Sequence, residues 1–294
     1  MPAHAHRAYV DAWMALFEKR LFLAAREVSA LAFRLAATEE ELARTYNQMG
    51  LIELHLRQPE QAGPHFERGL AVVADESITR IKLLNNRAIA DFYLGEIDSA
   101  WERSQLAYEW CRSTPRVPHA LRGDVTWTLG YLALIRQQWE RAIDWSRQAV
   151  ASFNSTGQWL GRAHALNNLG VAEFELDDAD NAEKHQREAL YAFARLGAAG
   201  EAYKAYAYAQ LGRIFFARGD LAQTAAFGGQ ALRALWTHMG LLDKREVGQV
   251  CELHGYIAWS GNDRKETISQ LQRASTYYLQ RHFFQDWARV NQVM

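Results

Sequence analysis

Side-chain amides recur in adjacent pairs along this chain. They stand in the segments "YNQMG", "LLNNRA" and "ALNNLG". The paired positions are Asn47 and Gln48, Asn85 and Asn86, and Asn167 and Asn168. Each amide offers both a hydrogen-bond donor and an acceptor, so a row of amides could pair with the main chain of an extended peptide whatever its side chains.

The rest of the sequence predicts helices that would position these amides. Only five prolines occur among the 294 residues, and Ala, Leu, Arg, Glu and Gln dominate the segments between turn signals. A small residue recurs in these segments with separations of 38 to 43 residues. These anchors are Gly50, Ala88, Gly130, Gly170, Gly212 and Gly255. Further small residues follow each anchor by about twelve and nineteen positions, so we expect an all-α chain of closely packed helical hairpins.

The hairpin segments resemble tetratricopeptide repeats. The likeness lies in "ALNNLGVAEFELDDADNAEKHQREAL" (165–190) and "AQLGRIFFARGDLAQTAAFGGQAL" (209–232), with Leu-Gly in the first helix and two alanines in the second. Units near 40 residues are longer than the standard repeat and look most like those of kinesin light chain and of peptide-sensing regulators of Gram-positive bacteria. The resemblance implies an α-solenoid of about seven hairpins, curved into a right-handed superhelix.

The same resemblance divides the chain into parts of one solenoid domain spanning 1–294. Residues 1–38 are interpreted as a degenerate first hairpin, 39–281 as six repeats, and 282–294 as a capping helix that covers the last apolar face.

In the resembling family, one stripe of each first helix lines the inner, concave surface of the superhelix. The residues of that stripe give the candidate peptide-binding groove. They are Asn47, Asn85, Asn167, Arg44, Lys82, Trp127, Tyr131, His164 and Arg213. The basic members would pair with a carboxylate or acidic side chain, and the aromatic members would supply an apolar floor.

Two alternatives remain open at the sequence level. The amides could tie one hairpin to the next rather than face a ligand. We favour the groove for the row of Asn47, Asn85 and Asn167. We favour the junction between hairpins for the row one position later, which contains Gln48, Asn86 and Asn168. The carboxylates of Glu53, Asp91 and Glu173 fall where an aromatic residue usually packs. Either they are buried beside a cation or amide, with Arg87 a candidate for one of them, or they reach the groove.

Several classes of function are disfavoured by the sequence. No phosphate loop, dinucleotide fingerprint or HExxH metal pair occurs, so we expect no enzyme activity, no catalytic residues, no cofactor and no metal site. The formal net charge of −1 without a basic cluster argues against nucleic acid or an anionic membrane as a partner. Cys111 and Cys251 are expected as reduced thiols, and the absence of a secretion signal or long apolar run predicts a cytoplasmic protein.

The sequence therefore predicts a binding protein, with two roles open. The first is a scaffold or adaptor that holds a protein or peptide partner in its groove, and the partner is expected to carry acidic or carboxylate groups. The second is a regulatory receptor that senses a peptide or ligand, without its own DNA-binding domain because residues 1–38 are too short for one. Self-association is left open.

Overall fold

A computed structural model describes residues 2–238, 244–279 and 290 of the chain, and these residues form helices without any strand. The α-helices are α1 (Pro2–Glu18), α2 (Phe22–Leu35), α3 (Glu39–His55), α4 (Pro59–Val72), α5 (Ile78–Leu94), α6 (Ile97–Ser113), α7 (His119–Ile135), α8 (Trp139–Asn154), α9 (Trp159–Glu175), α10 (Ala179–Ala194), α11 (Lys204–Ala217), α12 (Leu221–His238), α13 (Lys244–Ser260) and α14 (Arg264–Leu279). A short 3-10 helix, η1 (Gly197–Gly200), lies between α10 and α11. Within the described ranges, no helix has both the length and the apolar character needed to cross a membrane.

The helices pair in the order of the predicted repeats, which confirms the all-α hairpin fold. Antiparallel neighbours such as α3 and α4, α5 and α6, and α9 and α10 pack on each other, and the first helices begin at 39, 78, 119, 159, 204 and 244. One residue with a left-handed backbone stands two positions before each second helix. These residues are Arg20, Arg57, Gly95, Gln137, Asp177, Gly219 and Asn262. The same tight turn therefore closes every hairpin, although glycine occupies it only twice.

Close packing at the small residues is confirmed. The residues twelve and nineteen positions after each anchor are buried in every repeat. In the fifth hairpin, a Cβ added at Gly170 of α9 would come within 2.7 Å of Gln186 Nε2 and 3.0 Å of the Ala182 carbonyl oxygen on α10. Hydrogen is the only side chain that this helix contact accommodates without movement.

The chain divides into two compact units, Met1–Leu132 and Ala133–Met294. In unit 1, Phe66 and Leu83 are fully buried in one apolar cluster, and Ile52 joins Trp13 in a second. In unit 2, Leu166 and Phe193 form a comparable cluster between α9 and α10. The single 1–294 domain stays a prediction. The predicted capping helix at 282–294 lies outside the described residues apart from Val290, which is buried.

Candidate ligand-binding site

A cavity of about 870 Å³ lies within unit 1, where the first helices of four successive hairpins meet. Its walls come from α1, α3, α5 and α7, so the repeat geometry places one helix face beside the next. Five of the nine predicted groove residues line it. They are Arg44, Asn47, Lys82, Asn85 and Trp127. This cavity is the candidate site, and we call it the unit 1 pocket.

Both amide rows line the unit 1 pocket, and one bond joins them. Asn86 Nδ2 of α5 donates a hydrogen bond of 2.8 Å to Asn47 Oδ1 of α3. Asn47 stands three positions before its anchor and Asn86 two positions before its own, so α3 and α5 meet with these positions offset by one residue. Asn47, expected to face a ligand, thus also takes part in the junction between hairpins.

Other pocket amides retain unused hydrogen-bonding capacity. Asn85 is 4% exposed and Gln48 is 6% exposed, yet Asn85 Oδ1 and Gln48 Oε1 have no hydrogen-bond partner among the described residues. Trp13 Nε1 on α1 is a buried donor that likewise has no hydrogen-bond partner among the described residues. Buried polar atoms normally have partners, whereas three residues of the pocket lining carry two acceptors and one donor that the described residues leave unpaired.

Arg44 is already engaged at the edge of the pocket. Its Nε donates to Glu40 Oε1 at 2.9 Å, and Glu40 also accepts 2.6 Å hydrogen bonds from Ser77 and Thr79. Burial acts to raise the pKa of Glu40, but these three hydrogen bonds together bring it below its ordinary value. Glu40 is therefore ionised at neutral pH and forms an ion pair with Arg44, whose side chain is 60% exposed.

Asp124 of α7 is a pocket residue that sequence reasoning missed. The side chain of Asp124 is open to the pocket. Desolvation by the surrounding protein nevertheless raises the pKa of Asp124 to about 6, although the positive charge of Lys82 acts to lower it. Asp124 stands six positions before its anchor, as do Arg44 and Lys82 before theirs. That shared offset was the signal available in the sequence.

Tyr131 of α7 lies in unit 1 but outside the pocket lining. Its ring contacts those of Trp127 and Phe92, with centroids 6.2 and 5.1 Å away. It therefore packs against Trp127 without lining the pocket itself.

The other three predicted groove residues belong to unit 2. Asn167 is 1% exposed, its carbonyl oxygen accepts from Gln186 Nε2 at 3.0 Å, and its side-chain amide has no partner among the described residues. Arg213 Nη2 donates to Glu175 at 3.1 Å, and the guanidinium lies over the Phe174 ring. A cation already paired in this way is a weaker attraction for a ligand carboxylate.

The imidazole of His164, also in unit 2, is held between aromatic rings. The Phe193 and Tyr203 rings meet it edge-on, with centroids 5.4 and 5.2 Å away. Burial lowers the pKa of His164 to about 4. The ring is therefore neutral at physiological pH and does not offer the positive charge expected of it.

The three acids at the aromatic position are buried beside cations, as the first alternative predicted. Glu53 accepts from Arg26 at 2.8 Å. Asp91, fully buried, pairs with both Arg87 and Arg103, the latter at 2.8 Å, which confirms Arg87 as a partner.

Glu173 repeats the arrangement in unit 2. Its carboxylate lies 2.6 Å from His185 Nδ1 on α10 and 3.7 Å from Arg147 on α8. Glu173 of α9 thus contacts α10 of its own hairpin and α8 of the preceding one. Ion pairs between helices replace the usual aromatic contact, and these carboxylates are not groove residues.

Comparison with known proteins agrees with this architecture. Residues 163–194 match the family model of the tetratricopeptide repeat. The apo form of RapI is 14% identical, with a TM-score of 0.71 over 98% of this chain and 98% of that one. The quorum sensor NprR from B. thuringiensis is 10% identical, with a TM-score of 0.68 over 98% of this chain and 80% of that one.

The kinesin light chain resemblance is also found among solved structures. Tetratricopeptide-like repeats of a kinesin light chain from Podospora anserina are 16% identical, with a TM-score of 0.54 over 67% of this chain and 96% of that one. No curated protein matches the sequence. At these identities the structural matches establish the fold alone.

Proposed function

We propose that this chain, which has the tetratricopeptide-repeat fold, is a non-enzymatic binding protein that holds a peptide segment of a protein partner in the unit 1 pocket. The observation that carries this proposal is the set of buried polar atoms without partners, Asn85 Oδ1, Gln48 Oε1 and Trp13 Nε1. A peptide main chain supplies both N–H donors and carbonyl acceptors, so it can satisfy all three atoms irrespective of its side chains.

The apolar part of the lining supports the same ligand class. Leu51, Ile89 and Leu121 stand beside the amides, and Trp127 adds an aromatic wall. Pockets that bind compact ligands are mostly apolar with a few placed polar groups, and they span roughly 300–1,000 Å³. A cavity of about 870 Å³ is therefore of a size for a short peptide segment rather than for a folded domain.

The test is capture from a synthetic library of hexapeptides, followed by titration of the captured sequences against variants. Asn85→Ala removes an acceptor of the pocket, and we expect about fivefold weaker binding because one hydrogen bond is lost. Asn168→Ala is the matched control, since Asn168 is a buried amide of unit 2 that lies outside the pocket. Equal affinities of the two variants, with folding preserved, would remove the support from Asn85. Absence of any captured peptide would sink the proposed function.

A regulatory receptor is the second candidate, and the fold shared with the quorum sensor NprR favours it. A receptor must change conformation when it binds, whereas a scaffold need only hold its partner. Hydrogen exchange with and without a captured peptide separates the two roles. Protection that extends to helices of unit 2 would support the receptor, and protection limited to α1, α3, α5 and α7 would support the scaffold.

A further inference from the structure

Asp124 is the acid of the unit 1 pocket, and three charged side chains line that pocket. Arg44 of α3 is paired with Glu40, whereas Lys82 of α5 and Asp124 of α7 bring opposite charges to the same lining. The α1 residues of the lining, such as Trp13, carry no charge. The pocket therefore offers an anion to a ligand beside its cations, whereas the charged groove residues expected from the sequence were all basic.

The surroundings of Asp124 favour a donor-rich group of the ligand. A carboxylate only accepts hydrogen bonds, and the same lining contains the unfilled acceptors Asn85 Oδ1 and Gln48 Oε1. A primary ammonium carries three N–H donors, no acceptor and a compact positive charge. The desolvation that raises the pKa of Asp124 to about 6 indicates that Lys82 does not fully compensate its charge.

We propose that Asp124 binds a primary ammonium group of the peptide, supplied by its free amino terminus or by a lysine side chain. The inference rests on the proposed peptide-binding function. Lys82 then remains available for an acidic group or the carboxylate elsewhere in the same peptide. The partner expected from the sequence carries acidic or carboxylate groups, and this proposal adds that its peptide segment also presents a primary ammonium.

The experiment compares three hexapeptide libraries on the full chain. The first has free amino termini, the second is acetylated at the amino terminus, and the third has free amino termini but lacks lysine. Each is captured by the wild type, by Asp124→Asn and by Asp144→Asn. Asp144 is an exposed acid on α8 and outside the pocket lining, so its substitution is the matched control. Circular dichroism confirms that each variant is folded.

If the amino terminus is the source, acetylation and Asp124→Asn each reduce capture at least tenfold, while omission of lysine and Asp144→Asn leave it unchanged. If lysine is the source, the library without lysine is captured at least tenfold less, and acetylation of the amino terminus has no effect. Asp124→Glu keeps the negative charge and is expected to retain part of the capture. Capture that is insensitive to Asp124→Asn overturns the inference but leaves peptide binding intact. Failure of the wild type to capture any library overturns both.

Discussion

Replacing Gly170 by alanine tests the packing rule on which the repeat architecture depends. Gly170 lies inside α9, where alanine is intrinsically better by about 1 kcal/mol in a helix. Its new methyl would meet Gln186 Nε2 at 2.7 Å and the Ala182 carbonyl oxygen at 3.0 Å. The backbone oxygen cannot rotate away, so α9 and α10 must separate or Gln186 must move.

The net effect follows from three contributions. Overpacking a buried contact costs about 1–3 kcal/mol. Moving Gln186 also removes its hydrogen bond to the Asn167 carbonyl, at about 1 kcal/mol. After the helix-propensity gain of about 1 kcal/mol, Gly170→Ala should destabilise unit 2 by roughly 1–3 kcal/mol.

Gly229→Ala is the matched control within the same unit. Gly229 lies in α12, and an added Cβ would meet only Arg233 Nη1, at an ordinary 3.5 Å. Propensity then acts alone, so this variant should be more stable than wild type by up to about 1 kcal/mol. Urea unfolding followed by circular dichroism gives both values. Stabilisation of similar size in the two variants would refute the close-packing explanation of the recurring small residues.

Three further predictions concern ionisable groups. Asp91→Ala leaves Arg87 and Arg103 with only the half-exposed Glu67 as a shared carboxylate and should lower the free energy of unfolding by about 2 kcal/mol; a change below about 0.5 kcal/mol would contradict a structural role for Asp91. Because burial lowers the pKa of His164 to about 4, the folded state loses stability as pH falls from 6.5 towards 4, and thermal melts of His164→Gln should lack that loss. Although the side chain of Asp124 is open to the pocket, desolvation by the surrounding protein raises its pKa from 3.8 to about 6. The folded state therefore loses stability as pH rises through that interval, and Asp124→Asn should have a higher Tm than wild type at pH 7 and the same Tm at pH 3.5.

The helices and their pairing could be predicted from the sequence because close packing acts on every repeat alike. Gly170 and Ala189 lie at helix contacts that leave no room for a large side chain, and the equivalent position of each other repeat is restricted in the same way. Small residues therefore recur at a fixed period, which a single sequence is enough to reveal. The hairpin turn was less visible. Its left-handed position is filled by Gln137 and Arg57 as well as glycine, so no residue type marks it.

The site was harder to predict because it depends on neighbours that the period does not specify. Lys82 and Asn85, which were selected by their offsets from an anchor, line the unit 1 pocket, and their role in binding stays a prediction. Arg44 is paired with Glu40 on its own helix, and the pKa of His164 is lowered by burial between two rings. Predicting such effects requires the distances between side chains and the way they pack, and a pattern of residue types does not contain that information.

Peptide binding in the unit 1 pocket is tested most directly by photo-crosslinking. Benzoylphenylalanine replaces Met14, which lines the pocket and is 49% exposed, or Tyr191 of α10, which is 59% exposed and outside the pocket. After irradiation with the hexapeptide library, mass spectrometry locates the adducts. The account predicts peptide adducts at position 14 and none above background at position 191. Equal labelling of the two positions, or no labelling at position 14, would contradict it.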